Sequence, residues 1–240
     1  MLPKKEIFNI PIVSADWSEV AEHIAKTISA KRQELIVTAN PEIIERSFAD
    51  LELRDILQKR ALVFPDGIGV TAAARILGVE LKQRIPGIDL IQLLKPYSLY
   101  LIGSKASVIK KAAANLQTLG FNIVGYSQGY FDEIEEATML QEIKRLLPQI
   151  VLVGLGMGKQ EKWLDRHLKG LPATIGITVG GSFDILSGEK KRAPLWMRKI
   201  GIEWFYRLLQ EPKRIYRQLI LVKFLFRVLL EWGRRKPLRD

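Results

Sequence analysis

No cysteine occurs among the 240 residues, which excludes disulfides, thiolate metal sites and cysteine nucleophiles and agrees with a reducing compartment. Imidazole is scarce as well. The two histidines, His23 and His167, both fall in stretches of helical periodicity, where solvated or capped rings are the ordinary outcome. There is no Asp-x-Asp pair, so neither a paired-carboxylate mechanism nor a dedicated divalent-cation site has residues to build on. The G-x-G-x-x-G and Walker spacings are missing too. No run reaches the roughly 18 uncharged apolar residues that span a bilayer, and the opening MLPKKEIFNIPIVSADW lacks the apolar stretch of a signal peptide. The expectation is a cytoplasmic protein, at most peripheral on the inner face of the membrane.

What the chain does have is an uneven charge. Its net charge of +11 resides in residues 190–240, where fifteen Lys or Arg face four Asp or Glu; residues 1–189 carry twenty-two of each sign. With 48% apolar residues there is material for one core, and the break near Gly188 to Pro194 divides a body, 1–189, from an appendage, 190–240. A basic tail suits nucleic acid or anionic lipid, since both present phosphates. Apolar content favours lipid: Ile215, Leu219, Val222, Leu225, Phe226 and Leu229 recur at helical spacing as one broad face. Lys213, Arg217, Lys223, Arg227 and Glu231 fall on the other side. A terminal helix packed on the core reads equally well from this pattern. Trp196, Trp204, Tyr206, Tyr216 and Trp232 add the amphipathic aromatics of a water–lipid boundary.

Through the body, β-branched runs alternate with helical stretches. The runs are LIVT (35–38), ALVF (61–64), LYLIG (99–103), NIVGY (122–126), IVLVG (150–154) and TIGITVG (174–180). Between them PEIIERSFADLELRDIL, GVTAAARIL, SKASVIKKAAANLQTL, EATMLQEIKRLL and KQEKWLDRHL have helical periodicity. Such alternation predicts an α/β fold with an open, mostly parallel, Rossmann-like sheet covered on both faces, followed by a helical appendage. EIFNIPIVSAD fits either a hairpin or an edge strand.

Ligands of such sheets sit beyond the carboxyl ends of the strands. After LIVT, Asn40 suits a helix cap and Pro41 its first turn, which leaves Thr38 free at the strand tip. After ALVF, the turn Pro65-Asp66-Gly67 places one carboxylate at a strand end, either as ordinary turn chemistry or as a lone general base. After IVLVG, Gly154, Gly156 and Gly158 open a helix with backbone N–H groups accessible to phosphate, and Gln160 and Glu161 are expected toward the same rim. After TIGITVG, Gly180-Gly181 permits close approach, and Asp184 reads as structural. Arg84, in the turn Gln83 to Gly87, could clamp a diphosphate.

Taken in order, Thr38-Ala39-Asn40-Pro41, Pro65-Asp66-Gly67, Arg84-Ile85-Pro86-Gly87, Gly154-Leu155-Gly156 with Gln160-Glu161, and Gly180-Gly181 with Phe183-Asp184 resemble the WecG/TagA/CpsF bacterial glycosyltransferases, family 26. Arg192-Ala193-Pro194 and Gly201-Ile202-Glu203-Trp204 with Glu211-Pro212 extend the resemblance over nearly the whole chain. One departure is Gly158, where the family usually has proline. The resemblance implies a metal-independent, cofactor-free, inverting transfer of N-acetylmannosamine from its UDP derivative to undecaprenyl-diphosphate-GlcNAc, giving the linkage unit of wall teichoic acid. It implies Asp66 as base, Thr38 and Asn40 in contact with donor or acceptor near it, and Arg84 and Gln160 shaping the pocket; the strand-tip turns add Gly154, Gly156, Glu161 and Gly181 as expected substrate contacts. Without a metal, cations must come from side chains, and Arg207, Arg214, Arg217, Lys223 and Arg227 are the expected partners of diphosphate or anionic membrane. Other UDP-sugars (N-acetylmannosaminuronate, glucose, galactose) suit the same motifs, and a nucleotide-dependent oxidoreductase with a membrane-docking tail is the reading from a different class. Nucleic acid is not expected as a partner, and self-association off the membrane would hide the apolar face.

Overall fold

The computed structural model describes residues 2–173, 175–210 and 215–235, with Lys199, Arg207 and residues 215–218 described by their backbone alone. The first half holds β1 (Lys4–Ile7), β2 (Ile10–Val13), α1 (Trp17–Ser29), β3 (Glu34–Ala39), α2 (Pro41–Ser47) and α3 (Leu51–Asp55). β4 (Ala61–Pro65), α4 (Ile68–Ile76) and α5 (Gly87–Leu90) complete it. The second half runs β5 (Ser98–Gly103), α6 (Ala106–Thr118), β6 (Asn122–Ser127), α7 (Glu133–Leu146), β7 (Ile150–Gly154), α8 (Lys159–His167) and β8 (Ile175–Thr178). Then come α9 (Ser182–Leu186), α10 (Leu195–Lys199), α11 (Glu203–Gln210) and α12 (Ile215–Arg235).

The six β-branched runs of the sequence become β3 to β8, and all are parallel to their neighbours in one eight-stranded sheet ordered β1-β2-β4-β3-β8-β7-β5-β6. β2 also joins β4 in parallel, and among the described strands only β1 runs antiparallel. EIFNIPIVSAD is therefore both things at once: a β1–β2 hairpin, whose β1 forms the sheet's edge. Its two turn residues, Phe8 and Asn9, have φ 55 and 61, the left-handed pair that matches strand twist in a two-residue hairpin. An aromatic in that conformation is costly; Phe8 is nonetheless 6% exposed, with its ring against Phe48 and Phe224.

Continuous apolar runs arise because both faces are covered. One face buries Val37, Val63, Tyr100 and Val151 under α2, α3, α4, α7, α8 and α12; the other buries Ile36, Leu62, Leu101 and Leu152 under α1, α5, α6 and α9. The stretch PEIIERSFADLELRDIL is not one helix. Asp50 accepts the Leu53 N–H at 3.1 Å and so starts a new helix, α3, three residues after α2 has ended. The halves of the chain meet at the β3–β8 pair, with Glu34 to Val37 in register with Ile175 to Thr178. That seam is where the topology reverses and where a ligand crevice belongs.

The appendage returns to the body. α12 packs across α2 and α4, placing Phe224 and Val228, 4% and 1% exposed, in the core. Each such side chain contributes roughly 1.5–3 kcal/mol of burial. Among the described residues no helix is long and apolar enough to cross a membrane.

Candidate active site

Three loops of the first half are stitched together at the strand tips. The Asp66 N–H donates to the Ala39 carbonyl at 2.8 Å, and the Ile85 N–H donates to the Pro65 carbonyl at 2.7 Å. These bonds bring the tip of β3, the Asp66 turn and the Arg84 turn side by side. Asp66 is partly exposed beyond β4. Thr38 hydroxyl donates to the Thr178 carbonyl at 3.0 Å, bridging the seam between the halves, and lies against Gly87. Asn40 Oδ1 accepts the Ile43 N–H at 3.0 Å, so its side chain is committed to capping α2, as Pro41 at the first helical turn also suggests.

Arg192 lies within the field of Asp66, and Arg84 stands in the turn stitched beside it. Arg84 donates to the Arg198 carbonyl at 2.8 Å. Arg192 makes a two-pronged pair with Asp89, at 2.6 and 2.7 Å. Burial works against the Arg192 charge, but the Asp89 carboxylate outweighs it, with Glu203 and Asp66 adding their fields, and the guanidinium's pKa is raised. The Nε atoms of Arg192 and Arg198 are buried and make no hydrogen bond among the described residues. Sequence reading marks Arg192 only as part of a motif and misses Arg198 and Asp89; the signal available is the density of basic residues from 190 to 199.

Across the seam the β7 and β8 tips supply close-packed backbone. A Cβ on Gly154 would come within 2.6 Å of the Gly180 carbonyl oxygen, so only glycine fits there. Gly156 and Gly181 have open space on their Cβ side. Gln160 donates to Glu161 at 2.6 Å and accepts the Gly180 N–H at 3.2 Å, which ties α8 to the β8 loop. Glu161 differs from expectation: it is fully buried and does not face the rim. Its carboxylate accepts the Gly158 N–H at 2.7 Å, closing the first turn of α8. Burial pushes its pKa up against the hydrogen bonds from Gln160 and the backbone. Gly158 has φ 83, which a proline ring cannot adopt, and uses an N–H that proline lacks. The loop is thus shaped by glycine itself at the position where the chain departs from the family pattern.

The remaining expected residues lie elsewhere. Arg227 of α12 turns inward to Glu45, a carboxylate 4% exposed, through a fork at 2.8 and 2.9 Å, and Lys223 reaches the same carboxylate at 3.2 Å while its side chain stays 66% exposed. Arg227, expected at headgroups or diphosphate, is engaged by Glu45 instead, while Lys223 keeps most of its surface open to solvent. Arg214 and the side chains of Arg207 and Arg217 lie outside the described residues. His23 pairs with Glu34 at the amino end of β3, and His167 stacks on Trp163, both remote from the strand tips. The outer side of the appendage is apolar: Leu219, Val222, Leu225, Phe226 and Leu229 of α12 are about half or more exposed. Leu195 and Trp196 of α10, and Ile200 just after it, are exposed as well.

A strand-tip carboxylate on one side of the seam and glycine-lined helix starts on the other are the pattern of an open α/β enzyme whose ligand sits at the sheet's carboxyl edge. The chain belongs to the WecG/TagA/CpsF family of glycosyltransferases, whose family model matches residues 5–238. It is 35% identical over 240 residues to a Bacillus subtilis (strain 168) protein named N-acetylglucosaminyldiphosphoundecaprenol N-acetyl-beta-D-mannosaminyltransferase, covering 96% of this chain and 93% of that one. A Staphylococcus aureus (strain MW2) protein of the same name is 33% identical over 235 residues, covering 94% and 92%.

Proposed function

We propose that this glycosyltransferase moves N-acetylmannosamine from its UDP derivative to undecaprenyl-diphosphate-GlcNAc, forming the β-1,4-linked disaccharide that begins a wall teichoic acid. The names of the two relatives support the sugar and the acceptor. The observation that carries the mechanism is the placement of Asp66, partly exposed and fixed through its own N–H to the Ala39 carbonyl beside Thr38. Asp66 takes the proton of the acceptor 4-hydroxyl as that oxygen bonds to the anomeric carbon. The bond from that carbon to UDP breaks on the opposite face, and UDP leaves with the electron pair, so configuration inverts. Arg84, Arg192 and Arg198 offset the charge that develops on the diphosphate, and the N–H groups around Gly156 and Gly181 add donors. Arg207, Arg214 and Arg217 are further candidates for that charge.

The acceptor is a membrane lipid, and the exposed apolar face of α12 suits a position on the bilayer's inner surface, with α10 beside it. A transfer assay with a panel of UDP-sugars and a short-chain GlcNAc-diphosphate-lipid, with and without EDTA, tests donor, reaction and metal dependence together. N-acetylmannosamine transfer that survives EDTA is expected; preference for another sugar, or loss in EDTA, would overturn the corresponding part.

A further inference from the structure

We propose that Arg227 is a positioning residue for transfer, acting through Glu45 on α2, the helix that adjoins the β3 tip, the start of α4 after the Asp66 turn and the Gly158 loop; the catalytic part of this inference rests on the function proposed above. Glu45 is nearly without solvent contact yet lies on a helix of seven residues at the surface of the sheet layer. A buried carboxylate is tolerated only with its charge matched, and here the match comes from 182 residues away, as a fork of two Arg227 hydrogen bonds at 2.8 and 2.9 Å. The same guanidinium stacks 3.6 Å from the centre of the Phe48 ring, immediately after α2. Phe224, one turn earlier on α12, inserts against Phe8, whose ring also meets Phe48. Charge, stacking and packing therefore act on one end of α2.

The other contacts of α2 lead to the site. Its cap, Asn40, follows Ala39, which holds the Asp66 N–H. Pro41 fills the space a side chain on Gly69 would need, fixing α4 just after the Asp66 turn. Arg46, next to Glu45, lies against Gly158, and its charge reaches Glu161 at the start of α8. A short helix gripped at these points moves as a unit, so releasing Glu45 shifts the Thr38, Asp66 and Gly158 loops relative to one another. Small misplacements of reacting groups are costly in rate. The positive charges of this stretch of α12 thus serve the site from behind, at a distance from the substrates.

The test uses the full chain with R227Q, R227K and E45Q, assayed on the short-chain acceptor in detergent-free solution, with kcat referred to the folded fraction. R227Q and E45Q are expected to lower kcat about tenfold or more while the donor KM stays within about twofold, and R227K to fall between them and wild type because lysine keeps the charge without the fork. Amide hydrogen exchange in residues 40–48 and 66–70 is expected to quicken in R227Q. Unchanged kcat in both R227Q and E45Q, or a loss explained wholly by unfolding, overturns the proposal; so does unchanged exchange in those segments. If wild type itself transfers no sugar, the proposed function fails, and the exchange measurement alone decides the interlock.

Discussion

The inner and outer sides of α12 invert the usual amphipathic arrangement. Facing the body are Phe224, Val228 and the charged head of Arg227; facing away are Leu219, Val222, Leu225, Phe226 and Leu229. A helix that merely covered a core in water would put its largest apolar stripe inward. This one docks through Phe224 and Val228, with Ile220 and Leu221 partly buried and Arg227 paired to the buried Glu45, and leaves the broader stripe unpartnered by the described residues. Contiguous exposed apolar surface of that kind marks an interaction site, and a lipid-linked acceptor supplies the reason for one. A basic apolar tail can thus divide by face, with the Arg227 charge docked on the protein and an apolar stripe turned outward.

The strongest way to separate the body's chemistry from the tail's contribution is Asp66→Asn. It is expected to lower transfer by about 10²-fold or more while leaving UDP binding, measured by calorimetry, nearly unchanged. Retained turnover would remove Asp66 from the base role and shift attention to the tail. Next in size is the contrast between the sides of α12. Phe224→Ala should destabilise the fold by about 3–5 kcal/mol, as expected for emptying a buried aromatic site, whereas Phe226→Ala should fall within about 0.5 kcal/mol, both read from denaturant midpoints. Equal effects would erase the contrast between the two sides.

The outer side answers to a different measurement. Paired Phe226→Asp and Leu229→Asp substitutions should abolish sedimentation with vesicles containing anionic lipid while leaving the thermal midpoint in place; persistent vesicle binding would move the membrane contact to another surface. The smallest expected effect is in pH. Burial raises the Glu45 pKa, and the hydrogen bonds from Arg227 and Lys223 outweigh it, leaving the group below its ordinary 4.5. A depressed carboxylate contributes stability that is complete above the unfolded value and is lost as pH falls through the folded one. Wild-type stability should therefore decline below about pH 4.5 at this site. With Arg227 and Lys223 both changed to glutamine, burial acts unopposed and the site's contribution should rise as pH falls. Parallel acid curves for the two proteins would show that the pair is not matched as described.

Much of the site is legible in short stretches of sequence. Thr38, Asp66, Gly154 and Gly181 stand at or beside strand tips because a strand followed by a turn and a helix start is a local pattern, set by a few consecutive residues, whereas the Arg84 turn is brought there by the bond from Ile85 to Pro65. What escapes such reading is what neighbours beyond that range impose. Glu161 has the sequence context of a rim residue, but its carboxylate is consumed by the Gly158 N–H and buried under the fold. α2 and α3 share one apolar period, and the break comes from the Asp50 side chain taking a backbone partner.

By itself the sequence determined the strand–helix alternation, the strand-tip carboxylate, the glycine-lined helix starts and the apolar stripe of the tail, since each depends on spacing along a short stretch of chain. Only the tertiary structure decided that Thr38 would bridge to Thr178, that Arg192 would be clamped by Asp89, and that the tail's Arg227 would neutralise Glu45 rather than face outward. These partners lie between 103 and 182 residues apart. Which charges meet at that range depends on strand order and helix docking, and on the energetic demand that a carboxylate removed from water be matched by whatever cation the fold brings near.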